Sequence, residues 1–109
     1  MAKQINFDFE GNHYTLEFTR RSIREMENRG FVARDIQDKP MTVLPQLFAG
    51  AFLVHHRNIK QETVDRIFNR MGNKAELIEL LGAMYSEPLE SLLDDPADAE
   101  GKVMWEASW

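Results

Sequence analysis

The residues best suited to proton transfer or metal binding are three histidines, His13, His55 and His56. Read as part of a helix, His55 and His56 point about 100° apart, so they do not converge on one metal ion. There is no HExxH, and no carboxylate four residues from either histidine completes a triad on one face. One histidine against the core and one in solvent accounts for the pair. The competing reading is a metal-dependent enzyme built on both. Ser22, Ser86, Ser91 and Ser108 lie outside any GxSxG elbow, and no Walker A loop or GxGxxG occurs. Glu87 and Glu90 read as a solvated helix face, because paired acids need a cleft to become catalytic. The chain has no cysteine, which excludes disulfides, thiolate metal sites and cysteine nucleophiles. The expectation is a protein with no catalytic residues, metal ligands or cofactor.

Binding chemistry is better represented. Arg20, Arg21, Arg24, Arg29 and Arg34 form the one basic cluster. It could face nucleic acid or an acidic partner, or be an exposed helix face balanced by Glu25, Glu27 and the acidic end of the chain. Residues 94–109 hold five carboxylates against Lys102, a net of −4, out of −5 for the 109 residues. The near-neutral body makes broad phosphate-backbone binding an unfavoured reading. The same acidic stretch carries Trp105 and Trp109. These tryptophans either pack back on the domain or within a homo-oligomer, or they anchor a partner, since aromatic anchors dominate interface energetics.

The elements follow from periodicity. Ile5, Phe7 and Phe9 alternate with polar residues, as do Tyr14, Leu16 and Phe18, with Gly11-Asn12 between them. This predicts a β-hairpin over 4–18 whose apolar face must pack on something else. Thr19 caps a short helix over 20–29, with Gly30 as its stop. Phe31 to Met41 reads as a connector. Thr42 is the expected cap of a second helix over 42–57, with Pro45 in its first turn and apolar residues almost all round. Val64, Ile67, Phe68 and Met71 mark a third helix over 61–71. A fourth segment, 74–93, carries Leu77, Ile78, Leu81, Met84 and Tyr85; Pro88 should kink it or restart it, with Ser86 capping a separate last helix. The expected fold is mainly α: one globular domain over 1–95, with a compact bundle of four to five helices behind the hairpin, and a flexible acidic tail over 96–109. The hydrophobic fraction of 43% suits such a domain, no stretch is long and apolar enough to span a membrane, and no signal-peptide core is present. These point to the cytoplasm.

Several strings carry a resemblance. They are Phe7-Asp8-Phe9-Glu10-Gly11, Tyr14-Thr15-Leu16-Glu17-Phe18-Thr19-Arg20, Met26-Glu27, Gly30-Phe31, Leu47-Phe48-Ala49-Gly50-Ala51-Phe52 with His55-His56, Met84-Tyr85 and the closing Trp105-Glu106-Ala107-Ser108-Trp109. Together they resemble the tail assembly chaperones of siphophages and prophages of Gram-positive bacteria. The resemblance implies a protein of the bacterial host cytoplasm that binds the tape measure protein, keeps it soluble, helps recruit tail tube protein and is absent from the mature virion. It implies the short, non-frameshifted form and no catalytic residues. Candidate partner-binding residues are Leu89, Leu92 and Leu93 on the last helix, which could equally be core, together with Trp105 and Trp109. The alternative is a small phage regulatory protein that meets nucleic acid or a host factor through the basic region from Arg20 to Arg34, with Arg20, Arg21 and Arg24 as its surface.

Overall fold

A computed structural model describes residues 3–93, 103 and 105–108. The fold is mainly α: an N-terminal two-stranded antiparallel hairpin followed by four α-helices. Strand β1 (Ile5–Phe9) pairs with β2 (Asn12–Leu16), Phe7 facing Tyr14 across the ladder. The turn is Glu10-Gly11, with φ of 49° and 81°. Two consecutive left-handed residues match the right-handed twist of the strands. Glu10 is an unusual residue for that conformation, and its carboxylate is held by Arg66 at 2.6 Å.

Helix α1 (Arg20–Asn28) starts on Thr19 as expected. The Thr19 side chain accepts from the Ser22 N–H, and the Ser22 hydroxyl accepts from the Thr19 N–H, a reciprocal cap. The expected connector, residues 31–41, is more structured than a loop. Phe31 is buried and meets Tyr85 edge-on at 5.6 Å, and Ala33–Ile36 form a turn of 3-10 helix.

Helix α2 (Pro40–Gly50) departs from the sequence reading at both ends. It begins at Pro40, with Lys39 rather than Thr42 in the cap position. Pro45 is therefore inside the helix, not in its first turn. It is tolerated because Pro45 and Met41, whose carbonyl it leaves without a helical donor, are both exposed to water. At the other end the helix stops at Gly50 instead of running to 57. The Ala51 carbonyl, which a longer helix would use, accepts the Glu17 N–H at 3.0 Å instead. The chain then turns through Ala51–His55 against the outer edge of β2.

Helix α3 (Gln61–Arg70) and helix α4 (Lys74–Ser91) complete the fold. Pro88 neither ends α4 nor starts a new helix at Ser86. Contacts on both sides hold the helix through it. Met84 and Tyr85 are buried just before, and Arg20 donates to the Ser91 carbonyl just after, at 2.8 Å. The core gathers Leu16, Leu47, Phe48, Phe52, Ile67 and Leu81, all essentially inaccessible to water. Most of the stretch expected to be a flexible acidic tail, Trp109 included, lies outside the described residues.

Candidate protein-binding surface

The two adjacent histidines are occupied in holding the fold. The His56 ring lies tilted against Tyr14 at 5.1 Å and edge-on to Phe52 at 6.2 Å. Its Nε2 accepts the Thr15 backbone N–H at 2.9 Å. An acceptor nitrogen must be unprotonated, so the ring is neutral in this arrangement. Burial, reinforced by the charges of His55 and His13, pushes the His56 pKa below its ordinary value. His55 pairs through Nε2 with Glu17 Oε1 at 2.6 Å, and the amide of Gln4 donates to the same oxygen at 2.8 Å. The bond from His55 holds the Glu17 carboxyl below the usual carboxylate range, against the opposing effect of burial. Glu17 lies far off in sequence, which is why local spacing missed this pair. Among the described residues no group of side chains could hold a metal ion.

The arginines divide into tied and free. Arg20 is spent on the end of α4, reaching the carbonyl and hydroxyl of Ser91. Arg29 and Arg57 share Glu25. Arg21, Arg24 and Arg34 are exposed. The three residues offered as a basic surface, Arg20, Arg21 and Arg24, are all exposed, with Arg20 also bonded to Ser91.

A pocket of about 270 Å³ opens where α1 and α2 end, with Met26, Phe31 and Phe52 among its apolar walls and Arg29, His56 and Arg57 among its polar ones. Gly50 lies in this wall, and a Cβ there would overlap the side chain of Met26.

The apolar surface is concentrated at the C-terminal end of α4. Leu77, Leu81, Met84 and Tyr85 form a stripe buried against the body. At 100° per residue, Pro88 and Leu92 continue that stripe and Leu89 borders it. Past Tyr85 the cover runs out. Leu89 is 42% exposed, Leu92 58% and Leu93 90%. All three are therefore surface residues rather than core. Trp105 is 81% exposed and Val103 is also open to solvent, while Trp109 lies outside the described residues. No helix among the described residues is long and apolar enough to cross a membrane.

Comparison with known proteins adds one finding. No curated protein and no solved structure matches the chain. A family model described as a domain of unknown function, DUF5055, matches residues 1–109. With the whole of its length covered by that match, the chain belongs to the DUF5055 family.

Proposed function

We propose that this protein is a binding module rather than an enzyme, and that it acts as a tail assembly chaperone covering the apolar helical stripes of a phage tape measure protein. The observation that carries the reading is the stripe of α4, which is core over Leu77–Tyr85 and emerges uncovered at Leu89 and the C-cap Leu92, with Leu93 exposed just past the helix end. A tape measure protein presents long apolar helical faces that aggregate when unpaired. A short amphipathic helix end offers the matching surface, and helix-in-groove contact is read by anchors at this spacing. The exposed indole of Trp105 is a second anchor of the right chemistry. The surface is modest, as a reversible chaperone contact requires. In this reading the protein works in the cytoplasm of the bacterial host, helps recruit tail tube protein and leaves before the virion is complete.

The test is co-expression with the tape measure protein encoded beside it, followed by size-exclusion chromatography. The expected result is a soluble complex that elutes as one species, with the tape measure protein insoluble when expressed alone. A tape measure protein that remains soluble and separate in the presence of this chain would overturn the proposal. Replacing Leu92 and Leu93 with Ser in the same experiment should release the partner.

A further inference from the structure

The hairpin has one closed edge and one open edge. In an antiparallel pair, successive residues turn their backbone groups alternately toward the neighbouring strand and away from it. Two bonds set the phase. Thr15 N–H donates to His56 Nε2 at 2.9 Å, and Glu17 N–H donates to the Ala51 carbonyl at 3.0 Å. Both groups therefore point away from β1. Thr15 faces Asn6 and His13 faces Asp8 in the register, so Asn6 and Asp8 also turn their backbone groups outward, on the far side of β1. The close approach of Thr15 Oγ1 to Asn6 Oδ1, 2.7 Å, fits a pair of this kind. On the β2 side the outward N–H groups of Thr15 and Glu17 are taken by the His56 ring and the Ala51 carbonyl. On β1, no backbone group of another described segment reaches those of Asn6 and Asp8. The side chains of Asn6 and Asp8 are exposed, whereas Ile5, Phe7 and Phe9 on the opposite face are half-buried against the core.

We infer that this open edge pairs with the same edge of a second copy, antiparallel about a two-fold axis at Phe7, joining two hairpins into one four-stranded sheet. The order of side chains along β1 favours a second copy over an unrelated strand. Two amides, Gln4 and Asn6, are followed by two acids, Asp8 and Glu10. Antiparallel self-pairing about Phe7 sets Asn6 across from the partner's Asp8 on both sides of the axis, so an amide meets a carboxylate each time. Centring the axis on Asp8 instead would oppose two like charges, which cross-strand neighbours disfavour. On the other face, Phe7 meets its own counterpart and Ile5 meets Phe9, extending apolar cover over rings that are only half-buried in one copy. Each outward pair exchanges two backbone hydrogen bonds. Unpaired edges of this kind are surfaces that folded proteins either protect or use.

The experiment measures the mass of the full chain in solution by light scattering and sedimentation over a range of concentrations. The expected species is a dimer. N6D opposes carboxylates on both sides of the axis while keeping an acceptor for Thr15, and should weaken the dimer about tenfold. The double variant N6D/D8N restores an amide against each acid, and with it the dimer. N6P removes an outward donor that bonds no other group among the described residues, and proline is tolerated on such an edge. It should give a monomer with the circular dichroism of the parent, and an unfolding temperature that no longer depends on concentration. A parent chain that is monomeric at every concentration overturns the proposal. So does a dimer that N6D and N6P leave unchanged.

Discussion

At the scale of the residue, His56 carries the clearest consequence. It is held neutral between Tyr14 and Phe52 while it accepts a backbone donor from β2. A histidine whose folded pKa lies below its unfolded value contributes stability that is fully present above the unfolded value, near 6.5. That contribution is lost as pH falls from there toward the folded pKa, because the unfolded chain takes up the proton first. Glu17, also depressed, contributes above its unfolded value of 4.5 and loses that contribution as pH falls through the folded pKa. Denaturant unfolding as a function of pH should therefore show two declines, one beginning near 6.5 and one below 4.5. His56→Ala should remove the first decline. It should also cost about 1–3 kcal/mol at neutral pH, since it leaves the Thr15 N–H without its acceptor. Gly50 gives a second expectation at this scale. Ala is the better helix former by about 1 kcal/mol. A Cβ here meets the sulfur and methyl end of the Met26 side chain, a flexible group that lines the adjoining pocket and can turn into it. Gly50→Ala should therefore be neutral to stabilising, by up to about 1 kcal/mol in thermal unfolding, with Met26 turning toward the pocket.

At the scale of the element, what could be read in advance depended on whether the deciding contacts were local. Thr19 and Ser22 sit three residues apart and cap α1 as expected, because a capping box is a local device. The alternation of Ile5, Phe7 and Phe9 gave β1 for the same reason. The C-terminus of α2 is not local. It is set by β2, whose Glu17 takes the Ala51 carbonyl across the fold, and no window around Gly50 contains that information. The histidines went the same way: the Glu17 partner of His55 and the Thr15 partner of His56 lie too far off in sequence to be read from local spacing. Pro88 is the sharpest case. Its chemistry argues for a break, and packing at Tyr85 together with the Arg20 bond to Ser91 overrides it. The helix then retains the energetic penalty of the missing donor. Pro88→Ala should raise the unfolding free energy by about 1–3 kcal/mol with no gain in helical content by circular dichroism. A fall in stability would mean that the pyrrolidine ring matters more for packing than its missing N–H does for the helix.

At the scale of the whole molecule, the fold uses its apolar residues unevenly, and the candidate surface is where the use ends. The leucines of α4 were legible as a stripe but not as a surface, because a stripe alone does not tell how far the neighbouring elements extend. Here the body covers the stripe only as far as Tyr85; Arg20 holds the backbone at Ser91, but the apolar pattern continues uncovered at Leu89 and Leu92. Two variants, one within α4 and one at its end, should therefore separate folding from binding. Leu81 is inaccessible to water, so Leu81→Ala should cost about 2–5 kcal/mol of stability. Leu92 and Leu93 are 58% and 90% exposed, so replacing both with Ser should change stability by only about 0.5 kcal/mol. If this end of α4 is the anchor for a helical partner, the double Ser variant should nevertheless lose the tape measure protein in co-purification while its unfolding curve overlays that of the parent. The discriminating result is retention of the partner at parental yield. That would move the contact off α4 altogether and leave its exposed leucines without a binding role.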